Sequence, residues 1–310
     1  MSKFFRIAIL AFLLVSFVPS AIAQKQKSKD DYLKEISALF KTKKPEDLEK
    51  AYFLGKEYLV KFGNEKDENT NKVKDFVKKN RENQFFIYLE QQKFSEAFSE
   101  GKEILDENPE NVFVSMNLAF GGYNALATKN DKSFTDQSIN YAKQTISLLE
   151  KGTTPSSFSP ASSKDDAISW MYYIIGNFTK DTNYKESVAN FYKSTQFEGK
   201  IKSTSMPYFA IAVYFEDVYE KIANEYNSKN KTMTEAQRTT ELEKVNKVMD
   251  QMMDAYARAI KFGEAENNPQ KDEWKKRLTE VYKFRKKTDA GLNEYITLVN
   301  TKPLADPMTF

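Results

Sequence analysis

The sequence predicts an all-α chain built as an array of antiparallel helix pairs, on three observations. Gly is scarce, with 10 among 310 residues, and no run of β-branched residues alternates in the manner of a strand. Long windows rich in Lys, Glu, Gln, Leu and Ala, all good helix formers, carry apolar residues at helical spacing. A short pattern of small and aromatic residues recurs along the chain. An apolar fraction of 40% beside a charged fraction of 29% fits a thin, elongated core.

The elements follow in order. Residues 1–23 carry Lys3 and Arg6, an apolar run from Ile7 to Val18, and the small-residue exit Ala21-Ile22-Ala23, which reads as a secretory signal peptide cleaved after Ala23. The run is too short for a membrane span, and no later stretch is apolar enough for one. With no Cys at the cleavage point, a lipoprotein anchor is not expected, and the mature chain is expected in the periplasmic or extracellular space. Residues 24–29 read as a polar tether before a helical repeat domain over 30–310. Pro45-Glu46-Asp47 opens a helix with Pro in the first turn and acids against the macrodipole, and Gly63 closes it. Further helices are expected over 67–80, 82–91, 94–107, 111–128, 134–151, 165–179, 184–197, 206–227, 233–263, 270–286 and 289–300. Ser, Thr and Pro cluster from Gly152 to Pro160, so a loop insertion is expected near 151–164.

The chain contains no Cys and no His. Thiolate nucleophiles, imidazole bases, disulfides and the usual zinc or haem ligand sets are therefore excluded. No Gly-rich phosphate loop, dinucleotide fingerprint or metal-spaced cluster is present, so neither a cofactor nor a metal is expected. Cleavage after Ala23 removes two basic residues and no acid, leaving 45 basic against 44 acidic residues. Acids interleave with Lys and Arg along the helices, and such a mixed surface sustains no field for nucleic acid.

The repeat is clearest between Ala51-Tyr52-Phe53-Leu54-Gly55-Lys56-Glu57 and Ala97-Phe98-Ser99-Glu100-Gly101-Lys102-Glu103, 46 residues apart. Echoes begin at Ser138, Ser187, Ala255 and Gly291. Small residues four apart share one helix face and admit a close neighbour. Gly inside a helix costs about 1 kcal/mol against Ala, so Gly55 and Gly101 are expected to touch the preceding helix.

These residues resemble the tetratricopeptide-repeat family. Phe94-Ser95-Glu96-Ala97, Gly101 and Pro109 follow the second-helix pattern at the family's spacing, and Tyr184-Lys185-Glu186-Ser187 after Ile175-Gly176 repeats part of it. The spacing between copies departs from a regular period, and most first-helix aromatic positions are changed. The resemblance implies a right-handed superhelical α-solenoid whose concave groove binds a protein or peptide segment. Its groove positions fall here on Phe86, Glu90, Phe120, Tyr123, Asn124, Trp170, Tyr173, Asn177, Phe209 and Glu216. The function expected is a non-catalytic interaction scaffold.

Two alternatives come from other classes. A carboxylate-based glycoside or peptidoglycan hydrolase needs two acids about 5–10 Å apart, and Glu216 with Asp217 is the candidate pair, although adjacent helical residues diverge. A self-associating structural protein could use the stripe Leu242, Val245, Val248, Met249, Met252, Met253 and Tyr256, which reads equally as buried core.

Overall fold

A computed structural model describes residues 27–310; the expected signal peptide, its expected cleavage point and the start of the expected tether lie outside them. The described residues form twelve α-helices and no strand. These are α1 (Lys29–Thr42), α2 (Pro45–Phe62), α3 (Glu68–Glu90), α4 (Phe94–Glu107), α5 (Val112–Lys129) and α6 (Thr135–Glu150). They continue as α7 (Lys164–Thr179), α8 (Tyr184–Ser194), α9 (Ser205–Lys229), α10 (Glu235–Glu266), α11 (Lys271–Lys286) and α12 (Leu292–Leu298). Consecutive helices pack on one another, among them α1 on α2, α5 on α6, α7 on α8 and α9 on α10. The chain divides into two compact units, the first ending at Asn80 and the second running from Arg81 to Phe310.

In the first unit, Tyr32, Ile36, Tyr52, Tyr58, Val73 and Val77 form the core. Helix α1 starts one residue earlier than the sequence predicts. Ser28 caps it through a reciprocal pair of bonds with Asp31, which satisfies two otherwise orphaned donors. The last residues of the expected tether are therefore tied down, because Lys29 donates to Asp67 at 2.7 Å and to Glu65 at 2.5 Å. Asp67 in turn accepts from the backbone and hydroxyl of Thr70 at 3.1 and 2.7 Å, capping α3.

Lys29 and Thr70 together hold the Asp67 carboxyl well below its ordinary value of 3.8. A lowered folded pKa means that this carboxylate stabilises the unit above pH 3.8, and that the contribution is lost as pH falls through the folded value. The melting midpoint of Asp67→Asn should thus lie below that of the wild type at neutral pH, and the gap should narrow steadily as the solution is acidified below pH 3.8. A gap independent of pH would assign the effect to packing.

Where two helices were expected over 67–80 and 82–91, α3 runs unbroken from Glu68 to Glu90. No Gly or Pro interrupts Lys79-Asn80-Arg81-Glu82, and the Asn80 amide donates to the Phe76 carbonyl one turn back at 2.7 Å rather than capping a new helix. At the other end, α12 is shorter than the expected 289–300, beginning only after Gly291 in the left-handed region at φ 84° and passing into a 3-10 turn at Val299–Thr301.

The two repeat glycines are close-contact positions, but toward the following helix rather than the preceding one. A Cβ on Gly55 would lie 2.8 Å from Val77 Cγ2 of α3, and one on Gly101 would lie 2.8 Å from Leu118 Cδ2 of α5. The small echo residues Ser138 of α6 and Ser187 of α8 face the other way, toward Gly122 of α5 and the Gly176 carbonyl of α7.

The second unit is held by a core of Tyr208, Ile211, Phe215, Val248, Met252, Tyr256, Trp274 and Leu278, joined by clusters around Met116 and Met171 and around Phe85 and Phe98. The α10 stripe belongs to this core. Val245, Val248, Met249, Met252, Met253 and Tyr256 are buried, and Leu242 alone of the seven is exposed. The insertion between α6 and α7 is also packed, with Ala161 buried and the Ser159 carbonyl accepting from Asn117 at 3.3 Å.

Candidate functional site

Helices α5 and α7 lie in the same packed part of the second unit. Residues three or four apart lie on one face of a helix, so α5 presents Phe120, Tyr123 and Asn124 together, and α7 presents Trp170, Tyr173 and Asn177. Four of these rings meet. Phe120 and Tyr123 lie 5.4 and 6.2 Å from Trp170, Tyr123 lies 5.8 Å from Tyr173, and Trp170 lies 5.6 Å from Tyr173. All four contacts are edge-to-face, the arrangement the ring quadrupole favours. Phe191 of α8 backs Tyr173 at 5.7 Å.

Two cavities open beside this cluster and share Tyr123. One, of about 450 Å³, is lined by Phe120, Asn124, Pro160, Ser162, Asp166, Trp170 and Lys200. The other, of about 560 Å³, takes in Leu126, Lys132, Asn177, Phe178, Lys180 and Asp181. Phe120 and Tyr173 are buried, whereas Tyr123 and Trp170 are half-buried and Asn124 is exposed. Burial and the neighbouring Tyr173 push the Tyr123 phenol above its ordinary range, so it stays protonated and able to donate.

The walls are set by Asp166, which is buried near the start of α7. Its carboxylate accepts from the backbone and hydroxyl of Ser162 at 2.9 and 3.0 Å and from the Lys200 backbone at 2.9 Å, tying the 151–164 insertion to the segment after α8. Gly199 permits that approach, since a Cβ there would sit 2.3 Å from the Asp166 carboxylate. Held in this way, Lys200 places its ammonium 5.8 Å from the centre of the Trp170 ring, a cation–π contact.

The other four expected groove residues lie elsewhere. Phe86 packs on Phe85 and Phe113 at 4.9 and 4.8 Å, and Glu90 is exposed at the end of α3. Phe209 stacks on Trp274 of α11 at 4.7 Å with planes 18° apart, and Glu216 accepts from Arg277 Nε at 2.5 Å. The neighbouring Asp217 is exposed, so the two acids of the hydrolase alternative have unlike surroundings, one ion-paired and one in solvent. Among the described residues no group of three acidic side chains is placed to hold a metal ion, and no helix is long and apolar enough to cross a membrane.

Sequence reasoning passed over Pro160, Ser162, Asp166 and Lys200. The Ser163-x-x-Asp166 spacing marks a helix start, and Ser163 does cap α7 by accepting from the Asp166 backbone at 3.2 Å. Nothing local announces the second role of Asp166, whose partner Lys200 is 34 residues away.

Fold and site together define a class: an all-helical chain of packed helix pairs, whose second unit carries an aromatic wall with cavities beside it. No protein-family model, curated protein or solved structure matches the chain.

Proposed function

We propose that the chain is an exported, non-catalytic interaction scaffold of tetratricopeptide-like, right-handed superhelical build, which grips a protein or peptide segment on the α5/α7 face. The observation that carries this reading is the convergence of Phe120, Tyr123, Trp170 and Tyr173 beside two open cavities. Tyr123 and Trp170 remain half-buried, backed by the buried Phe120 and Tyr173. Large, stiff aromatic side chains left part-exposed are the usual anchors of binding energy, and they lose little entropy when a partner covers them. Asn124 adds an exposed amide able to meet a partner's backbone from both its donor and its acceptor side. The helix pattern supports the same reading, since α4 turns Phe94, Ala97 and Gly101 inward ahead of Pro109.

The test is affinity capture from the native cell envelope with tagged residues 24–310, followed by a salt wash. Trp170→Ala should lower recovery of the partner by roughly thirtyfold, the equivalent of a ~2 kcal/mol hot spot. Asn124→Arg, which changes only an exposed side chain, should block the same partner while leaving circular dichroism and melting unchanged. Equal recovery by both variants and the wild type would remove this face from the function.

A further inference from the structure

A further cavity of the second unit lies against the C-terminal segment and has no lining residue in common with the cavities of the α5/α7 face. The cavity, of about 370 Å³, is lined by Gln196, Lys202, Tyr208, Arg258, Asn300 and Lys302 among others, with three cationic side chains and no carboxylate in the wall. Arg258 projects from α10 and its side chain is only 8% exposed. Its Nε donates to Asp254 at 3.1 Å, and Nη2 donates to the carbonyls of Val299 and Lys302 at 2.9 and 2.5 Å. Nη1 makes no hydrogen bond among the described residues. That corner of the guanidinium is open to solvent, so it is a charged donor in the cavity wall available to an acceptor on a bound ligand.

The surrounding charges favour an anion. Asp254 offsets Arg258, and Glu198 pairs with Lys202 on the exposed side. Lys302 has no ion-pair partner among the described residues and acts on Asp254 only through its field. One positive charge is thus left over, and the cationic groups come from three separate segments: α10, the turn Ile201–Ser203 and the C-terminal segment. The Asn300 amide, exposed and without a hydrogen bond among the described residues, adds a neutral donor. Donors that approach from several directions suit a tetrahedral oxyanion better than a planar carboxylate, and a guanidinium with lysine ammonium groups is the usual protein complement to phosphate. The cavity exceeds the needs of a bare anion and falls within the roughly 300–1,000 Å³ range of small-molecule sites. Tyr208, Pro303 and Leu304 supply an apolar wall for the rest of such a ligand.

We infer that this cavity binds a tetrahedral oxyanion, as free phosphate or sulfate or as the phosphate monoester of a small molecule, between Arg258, Lys202 and Lys302. The test uses residues 24–310 in calorimetric titration and thermal melting with sodium phosphate, sodium sulfate and glucose 6-phosphate, against glucose and sodium chloride at matched ionic strength. A saturable heat and a raised midpoint with the oxyanions, and with neither control, are expected, since a ligand that binds only the folded state stabilises it. Tighter binding of glucose 6-phosphate than of phosphate would assign the ester, and equal affinity the free anion. Lys202→Ala and Lys302→Ala leave every Arg258 hydrogen bond in place, because Lys302 accepts through its backbone. Each should weaken binding by roughly tenfold or more. No response to any of the three oxyanions at matched ionic strength, or a response that survives the double substitution, would overturn the assignment.

Discussion

Arg258→Met should lower the melting midpoint of the second unit by on the order of 10 °C and release the C-terminal segment, while the first unit's transition stays in place. The side chain ties α10 to two carbonyls, 41 and 44 residues downstream, and it is the ion-pair partner of Asp254. Burial already raises the Asp254 carboxyl above its ordinary value, with Arg258 as the largest opposing influence. Removing one partner of a buried pair typically costs about 3–5 kcal/mol, because the other charge stays behind uncompensated. At about 2–4 °C per kcal/mol for a unit of this size, the shift is of the stated order. Differential scanning calorimetry reads the midpoint, and limited proteolysis reads the release, since Phe310 is otherwise held 6.0 Å from Phe215 and under Lys247. Asp254→Asn combined with Arg258→Met should be milder than Arg258→Met alone, as it removes the stranded charge. A protected C-terminus and an unchanged midpoint would show that the segment is held by its apolar contacts.

Gly101→Leu should destabilise the second unit by about 3 kcal/mol or more, at or beyond the upper end for overpacking a core. A Cβ alone would stand 2.8, 2.9 and 3.0 Å from three side-chain atoms of Leu118. Leu118 is fully buried and has nowhere to swing. For Gly101→Ala the helix-propensity gain of about 1 kcal/mol opposes that clash, so its effect should be much smaller. For Leu the added branch has no such offset. The decisive comparison is Gly101→Leu with and without Leu118→Ala, since the second change vacates the volume that the first requires. Recovery of part of the lost midpoint in the double variant confirms the contact, and simple additivity of the two losses refutes it.

The helices were legible in the sequence because their signals are local. Pro45 opens α2 and Gly63 follows its end, and the expected 94–107 and 270–286 agree closely with α4 and α11. The helical period of the Leu242-to-Tyr256 stripe identified an apolar face, and its reading as core is the one that the packing supports. The break expected at residue 81 is absent, because no Gly or Pro interrupts the chain there and α3 continues through it. On the site, Phe120, Tyr123, Asn124, Trp170, Tyr173 and Asn177 came only as groove positions implied by the family resemblance, and the structure shows that they lie on two helical faces whose rings meet. Phe209 and Glu216 came from the same resemblance, yet Trp274 and Arg277 of α11 engage them, and nothing near residue 209 or 216 in the chain specifies that encounter.

Sequence alone determined the helical class, the order of most helices and the small-residue faces, because propensity, capping and period act over a few neighbouring residues. Only the tertiary structure decided which helix fills each small face, which aromatic side chains stay part-exposed, and where polar groups converge. Asp166 joins Ser162 to Lys200, and Arg258 reaches Val299 and Lys302. Such contacts come from distant parts of the chain brought together by burial of apolar faces, a force without direction, and the sites arise where that burial leaves polar groups facing one another.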